Sequence, residues 1–283
     1  MQARLEELGE ICRIQVIRTT GDNVQDVALS KVGTKGLFTK EIEEALLDGS
    51  IDLAVHSLKD MPTDLPDGLM LAAIPEREDA RDALVGCTLS ELRVGARVGT
   101  SSLRRSAQLL AVRPDVHVEN IRGNVDTRLR KLDEGQYDAI LLASAGLRRL
   151  GWSARISDLL DPETMCPAVG QGALAIQTRD DGGHAQQVCA KLNHLESRVA
   201  VTAERAVLAS LGGGCQVPIG ALAQGMMPVQ LRALIITPDG RTLIRGSVET
   251  VPERAEEAGR ELGESLLARG GRAILDQVYS PQL

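Results

Sequence analysis

The stretch Asp52-Leu53-Ala54-Val55-His56-Ser57-Leu58-Lys59-Asp60-Met61-Pro62 predicts both a fold class and a site. It is an apolar run that opens at its carboxyl end into His-Ser-Leu-Lys-Asp and is ended by a proline. In an open α/β sheet, ligands bind where loops leave the carboxyl ends of strands. Lys59 and Asp60 stand at such an exit and are candidate site residues, although adjacent charges on a surface loop are most often only solvated.

The composition describes an ordinary globular protein rather than a nucleic-acid-binding one. The chain has 283 residues, enough for two or three domains, and is 43% hydrophobic and 25% charged. Aromatic side chains make up 1% of the residues, so platforms for stacking single-stranded bases are not expected. The net charge of -7 also disfavours binding to a phosphate backbone. We therefore expect no nucleic-acid partner.

The cysteines are scattered and form no metal-binding or disulfide pattern. They are Cys12, Cys87, Cys166, Cys189 and Cys215. Without a Cys-x-x-Cys or Cys/His cluster, neither a zinc site nor a disulfide scaffold is expected. No run is long and apolar enough to span a membrane, and the first residues lack the apolar core of a signal peptide. The sequence thus predicts a reduced, cytoplasmic protein with no metal and no membrane partner.

The first part of the chain predicts an incomplete α/β layer. A helix is predicted over residues 3–9 and a strand over 11–18. Because a βαβ layer ordinarily begins with a strand, a first strand is expected to be missing ahead of this helix. The glycine-punctuated loop that carries Lys31 and Lys35 is expected to be mobile and cationic. A helix over 39–48 and a strand over 51–55 follow.

Two segments are candidate crossings between domains, the charge-dense residues 75–82 and the glycine-containing residues 165–172. Two crossings would let the chain leave a first domain, build a second and return. Strands are predicted between them over 94–99, 117–121 and 139–143, with a helix over 103–112. Strands over 231–236 and 241–248 and a helix over 253–269 predict a small α+β unit downstream. The predicted domains are 1–75 with 172–192, then 76–171, then 193–283.

The middle of the chain is basic although the whole chain is acidic. From Arg93 to Arg155 there are twelve basic and six acidic side chains, a net charge of +6. Such a segment indicates a small polyanionic ligand held in a cleft. Arg104 and Arg105 follow a Thr-Ser-Ser helix start and Arg122 follows a strand, which are natural places to bind carboxylate or phosphate. Exposed arginines elsewhere are expected to serve solubility only; these are Arg113, Arg130 and Arg155.

The third informative stretch is Gly212-Gly213-Gly214-Cys215. Three glycines leave the thiol little steric cover, so its sulfur could approach a ligand in a neighbouring cleft. The alternative is a small buried residue near a turn, which describes most lone cysteines. We assign that alternative to the other four cysteines.

Taken together, the motifs resemble the hydroxymethylbilane synthase family, also called porphobilinogen deaminase. The matching segments run through essentially the whole chain: Lys35-Gly-Leu-Phe, Ala54-Val-His-Ser-Leu-Lys-Asp60, Glu76-Arg-Glu-Asp79, Val98-Gly-Thr-Ser-Ser-Leu-Arg-Arg105, Ile121-Arg-Gly-Asn124, Pro167-Ala-Val-Gly-Gln-Gly172 and Gly213-Gly-Cys-Gln-Val-Pro-Ile-Gly220. Each motif alone is weak, but their number and order make chance a poor explanation.

This resemblance implies three domains, the first two folded like type II periplasmic binding proteins around a cleft and the third a smaller α+β domain. It implies a monomer with a dipyrromethane cofactor joined by a thioether to Cys215. The family condenses four porphobilinogen molecules head to tail, releases ammonia each time and frees linear hydroxymethylbilane by hydrolysis.

The resemblance also assigns roles to individual residues. Asp60 matches the catalytic carboxylate that stabilises the cation formed as ammonia leaves. Cofactor-binding positions match Ser57, Lys59, Thr100, Ser102, Arg104, Arg105 and Cys215. Substrate-binding positions match Lys31, Lys35, Arg122, Arg128, Arg149 and Gln171.

One departure concerns the beginning of the sequence. The family usually starts with a strand that leads into a Thr-Arg-x-Ser-x-Leu-Ala-like segment, which is not found here. We therefore expect a chain that starts at Met1 to be poorly stable and weakly active. The competing prediction is a truncated homologue that binds a carboxylate-rich ligand in a two-lobed cleft without turnover.

Overall fold

A computed structural model describes residues 1–17, 19, 39–212 and 217–279. The loop that carries Lys31 and Lys35 and the segment that carries Cys215 lie outside these described residues, so the predictions for those three residues do too. No helix of the described chain is both long and apolar enough to cross a membrane.

The elements alternate between helices and short strands along most of the chain. The α-helices are α1 (Gln2–Glu6), α2 (Lys40–Leu47), α3 (Leu103–Val112), α4 (Val125–Asp133), α5 (Ser144–Arg149), α6 (His184–Ala190), α7 (Leu195–Ser210), α8 (Ala255–Leu266) and α9 (Arg272–Tyr279). The strands are β1 (Leu53–Ser57), β2 (Leu69–Ala73), β3 (Asp82–Val85), β4 (Arg97–Gly99), β5 (His117–Glu119), β6 (Ala139–Ala143), β7 (Asp158–Leu159), β8 (Leu174–Arg179), β9 (Ile219–Gln224), β10 (Val229–Ile236) and β11 (Leu243–Thr250).

The first sheet has the order β1-β8-β2, and β8 runs antiparallel to both neighbours. One core cluster joins Ala73 and Ile176 of this sheet to Leu5 of α1 and to Val188 of α6. A second cluster contains Ala175 of β8 and residues of the segment that follows β1. The sheet therefore has buried apolar contacts on both sides.

The second sheet has five strands in the order β5-β4-β6-β3-β7. Strand β4 is parallel to β5 and β6, whereas β3 is antiparallel to β6 and β7. Successive residues of β3 belong to different core clusters. Leu84 belongs to one cluster, whereas Ala83 and Val85 belong to another. Burial on both sides explains why β3 and β6 are continuous apolar runs rather than alternating patterns.

The third sheet is an antiparallel meander, β9-β10-β11, covered by α7 and α8. The two helices pack closely because Gly259 has no side chain: a Cβ there would lie 2.2 Å from the carbonyl oxygen of Ala203. This unit also contacts α3, since Leu234 and Ile236 share a core cluster with Ala107. The predicted fold class, α/β with a smaller α+β unit at the carboxyl end, is confirmed.

Some local predictions are confirmed and one is wrong. Helix α3 and strand β6 have the predicted bounds. The strand predicted over 11–18 is not formed at 11–17, where Ile11 is 101% and Val16 83% exposed. An apolar alternation makes a strand only when a neighbour supplies hydrogen bonds, and no described residue pairs with this segment. Each sheet draws its strands from one predicted domain, but the domain boundaries stay a prediction.

Candidate active site

The turn after β1 holds Lys59 and Asp60 in place. Residues Leu58–Asp60 form a 3-10 turn whose first residue is buried. Leu58 N donates to Ala173 O at 3.1 Å, and Met61 N donates to Leu58 O at 3.1 Å. The first bond anchors the turn to Ala173 and the second closes the turn on itself, while Asp60 is exposed and Lys59 half-buried. An exposed carboxylate on a fixed turn can act on a ligand without moving.

The neighbouring His56 faces the core and not this turn. It is buried, and its Nε2 lies 2.9 Å from Oε1 of Gln177. Burial lowers the pKa of His56, against the effects of Gln177 and Glu43. The histidine therefore belongs to the interior of the first sheet.

Two buried arginines begin α3 on the second sheet. Ser102 is the helix cap and its side chain accepts a hydrogen bond from Arg105 N, as the sequence predicts. Arg104 and Arg105 are only 4% and 6% exposed. Arg104 Nη1 donates to the carbonyl oxygen of Cys166 at 2.6 Å, and Arg105 Nη1 donates to that of Leu141 at 3.2 Å. Both guanidinium groups are thus held in the interior.

The partner of both arginines is Asp82, which the sequence analysis missed. Arg104 Nη1 donates to Asp82 Oδ2 at 2.7 Å and Arg105 Nε to Asp82 Oδ1 at 2.8 Å. Gln171 Nε2 donates to the same Oδ1 at 2.9 Å. Burial opposes ionisation of Asp82, but the charges of the two arginines outweigh it and lower its pKa to about 2. The sequence feature that could have pointed to Asp82 is its position directly ahead of the apolar run Ala83-Leu84-Val85.

Charge effects connect the turn after β1 to the arginine pair. Burial lowers the pKa of Lys59; Asp60 and Asp82 oppose this shift, and Arg104 and Arg105 add to it. The pKa of Arg105 is lowered by burial and raised in part by Asp60. The structure thus brings candidate residues of the first and second sheets into one cluster.

The remaining cations extend this cluster along the second sheet. Burial lowers the pKa of Arg128, and the nearby charges of Arg105 and Arg122 lower it further. Arg128 Nε donates to Gly123 O at 2.7 Å. Together with Lys59 and Arg104, the groups linked by these charge effects comprise five cations and two carboxylates, Asp60 and Asp82. Such a surplus of positive charge suits a ligand with several carboxylate groups.

Other predicted residues occupy the edges of the cluster. Thr100 is buried and its Oγ1 accepts a hydrogen bond from Ser102 N at 3.2 Å. Ser57 is exposed at the end of β1. Arg149 is exposed and its Nη2 donates to Gly172 O at 2.7 Å, which places it beside the second crossing.

Two of the described cysteines, Cys166 and Cys189, are buried. Burial raises the pKa of Cys166 to about 12 and that of Cys189 to about 11, so both thiols stay protonated at neutral pH. Among the described residues no group of three or more His, Cys, Asp or Glu side chains is arranged to hold a metal ion.

Comparisons with known proteins cover nearly the whole chain. The family model described as "Porphobilinogen deaminase, dipyromethane cofactor binding domain" matches residues 1–187. The model described as "Porphobilinogen deaminase, C-terminal domain" matches residues 199–268.

Curated relatives carry the same description. "Porphobilinogen deaminase" of Syntrophobacter fumaroxidans is 49% identical over 287 residues, which covers 99% of this chain and 92% of the relative. "Porphobilinogen deaminase" of Syntrophomonas wolfei is 52% identical over 267 residues, which covers 93% of this chain and 87% of the relative. Among solved structures, the substrate binding protein of an amino acid ABC transporter is 16% identical with a TM-score of 0.34, and the match covers 67% of this chain and 76% of that one.

Proposed function

Because this chain belongs to the porphobilinogen deaminase family, we propose that Asp60 and the cations around it carry out the reaction of that family. The reaction is the head-to-tail condensation of four porphobilinogen molecules with release of ammonia, followed by release of hydroxymethylbilane for tetrapyrrole biosynthesis. The observation that supports these roles is the cluster of five cations and two carboxylates around the turn after β1.

Asp60 is the proposed catalytic residue. Loss of ammonia from the aminomethyl group of porphobilinogen leaves a positive charge on the substrate, which a fixed carboxylate stabilises. Asp60 meets this requirement because it is exposed on an anchored turn. The cations nearby would bind the acid groups of the same substrate.

The dipyrromethane cofactor, when bound, supplies the primer to which the first substrate is joined. The residues present fit this group, since its acidic side chains require cations and hydroxyl donors in one place. We assign its binding to Ser57, Lys59, Thr100, Ser102, Arg104 and Arg105, with covalent attachment at Cys215. Arg105 uses three of its five N–H donors on Asp82, Leu141 and Gln171, and its Nη2 also lies 2.8 Å from Asp82 Oδ1, so the second N–H of Nη1 remains for a carboxylate.

Substrate binding is assigned to Arg122, Arg128 and Arg149, which are half-buried or exposed, and to Gln171, which is buried beside Arg105. Lys31 and Lys35, outside the described residues, complete the proposed set. We further propose that the protein acts as a monomer in the cytoplasm.

The test is the intact mass of the purified protein together with ammonia release. We expect wild-type protein to carry an added dipyrrole, and Cys215→Ala to lack both this mass and turnover. Cys87→Ala, at a half-buried thiol outside the site, is the matched control and should keep both. Product formation by Cys215→Ala would contradict the proposal, as would wild-type protein that binds carboxylate ligands but neither carries the dipyrrole nor releases ammonia.

A further inference from the structure

Asp82 contacts three of the residues assigned to the cofactor and substrate. It is the first residue of β3, is 0% exposed, and accepts hydrogen bonds from Arg104, Arg105 and Gln171. Arg104 reaches both of its oxygens, since Nη2 lies 3.2 Å from Oδ1 in addition to the Nη1 contact with Oδ2. A single carboxylate therefore orders both guanidinium groups at the start of α3.

The contacts restrict Arg105 on several sides. Its Nε donates to Asp82, its Nη1 to Leu141 O and its Nη2 to Gln171 Oε1. A free arginine side chain has many rotamers, and ordering it on a ligand costs entropy. When the protein orders the guanidinium group in advance, the ligand no longer bears that cost.

The same carboxylate connects α3 to both crossings. Asp82 is the last residue of the first crossing, and Gln171 lies in the second. Gln171 Nε2 donates to Asp82 and also to Ala80 O at 2.7 Å. The positions of the two arginines are thereby set relative to the segments that join the first and second sheets.

We propose that Asp82 is a positioning residue that holds Arg104 and Arg105 in the orientation in which they bind the carboxylates of the dipyrromethane cofactor. This inference rests on the proposed function. A simpler role would be to neutralise buried positive charge, in which case any carboxylate at this position would serve equally well.

Asp79 provides a matched control in the same segment. It also pairs with two arginines, with Arg81 at 2.7 Å and Arg148 at 3.2 Å. Neither of these arginines is assigned to the cofactor, and Asp79 is less deeply buried than Asp82. Loss of Asp79 therefore removes a similar ion-pair cluster without touching the proposed binding residues.

The experiment compares Asp82→Asn with Asp79→Asn by intact mass and thermal unfolding. We expect the fraction of Asp82→Asn that carries the added dipyrrole to fall at least about tenfold, with a higher KM for porphobilinogen in the loaded remainder. Asp79→Asn should be loaded like wild type. A folded Asp82→Asn protein with wild-type loading and KM would overturn the inference.

Asp82→Glu distinguishes positioning of the two arginines from neutralisation of their charge. It also provides the test of the inference if Asp82→Asn does not fold. It keeps the charge but displaces the carboxylate by one methylene. Reduced loading in a cooperatively folded Asp82→Glu protein supports positioning, whereas wild-type loading shows that charge alone is required and refutes it. A wild-type protein without the dipyrrole would instead contradict the proposed function itself.

Discussion

The first and second sheets share an arrangement of three antiparallel strands, but the second sheet has two further strands. In each, a strand that follows a crossing lies antiparallel between two others: β8 between β1 and β2, and β3 between β6 and β7. Beyond β6 the second sheet continues into β4 and β5, whereas among the described residues β1 has no further neighbour. Within the part of the chain that the structure describes, β1, which leads to Asp60, therefore lies at the edge of its sheet, whereas its counterpart β6 is an interior strand.

The first sheet is supported instead by helix α7. Val201 of this helix packs against Leu58 and Met61, in and directly after the turn that carries Asp60. Arg198 Nη2 donates to Leu71 O at 3.0 Å, and His194 N donates to Ile74 O at 2.8 Å. Because α7 also covers the third sheet, the turn that carries Asp60 is packed against the carboxyl-terminal unit.

The two sheets contribute different groups to the site. The turn after β1 of the first sheet supplies Lys59 and the exposed carboxylate of Asp60, and the second sheet supplies arginines that are fixed by Asp82. We infer that the second sheet provides rigid binding of the acid groups, while the first provides the reactive group on a more dependent support. The following predictions test this division.

The largest effect is expected at Glu204 of α7. This side chain is 0% exposed; it pairs with Arg77 of the first crossing at 2.6 Å and accepts from Gly170 N of the second crossing at 2.7 Å. Glu204→Gln leaves the half-buried Arg77 without its counter-charge. Removing one partner of a buried ion pair costs about 3–5 kcal/mol, and urea unfolding should show a loss of that order.

Glu163→Gln is the control for this prediction. Glu163 also contacts arginines of another sheet, Arg232 and Arg245, but it is exposed. Ion pairs at the surface contribute little to stability, so the free energy of unfolding should hardly change. If Glu204→Gln and Glu163→Gln lost the same free energy of unfolding, the contacts of Glu204 with Arg77 and Gly170 would not support the first sheet.

The next largest effect is expected in the rate of ammonia release after substitution of Asp60. Asp60→Asn keeps the size of the side chain and removes the charge, so the anchored turn should persist while the rate of ammonia release falls about 10²–10³-fold. Asp67→Asn removes an exposed carboxylate from the same sheet region and should leave the rate unchanged. Near-normal turnover in Asp60→Asn would end the assignment of the reactive group to the first sheet.

The sequence predicted the local features of this comparison and missed the long-range ones. Helix α3 was predictable because its apolar spacing and its Ser102 cap lie within one short stretch. Asp82 was not, since its partners Arg104, Arg105 and Gln171 are 22, 23 and 89 residues away. Helix α7 was missed because it is buried against two different sheets, which blurs the amphipathic pattern of a surface helix.

The strand predicted at 11–18 is the opposite case, because here a local pattern predicted an element that is not formed at 11–17. Its apolar residues satisfied the local pattern, but pairing depends on a neighbour that no short stretch reveals. Asp60 and the two arginines were recognisable as parts of motifs, whereas their electrostatic link was visible only once the sheets were placed together.

The smallest effect is expected in hydrogen exchange, which tests the edge position of β1 directly. Edge strands have backbone groups without a partner on one side and open more easily than interior strands. The amides of β1 should therefore exchange about tenfold faster than those of β6, a strand of the same length. Strand β8 is interior in the first sheet and β3 is interior in the second. Their amides should therefore be similarly protected from exchange, which serves as the internal control. If β1 is as well protected as β6, a neighbour must cover its edge in solution, and the turn that carries Asp60 is then supported by its own sheet rather than by α7.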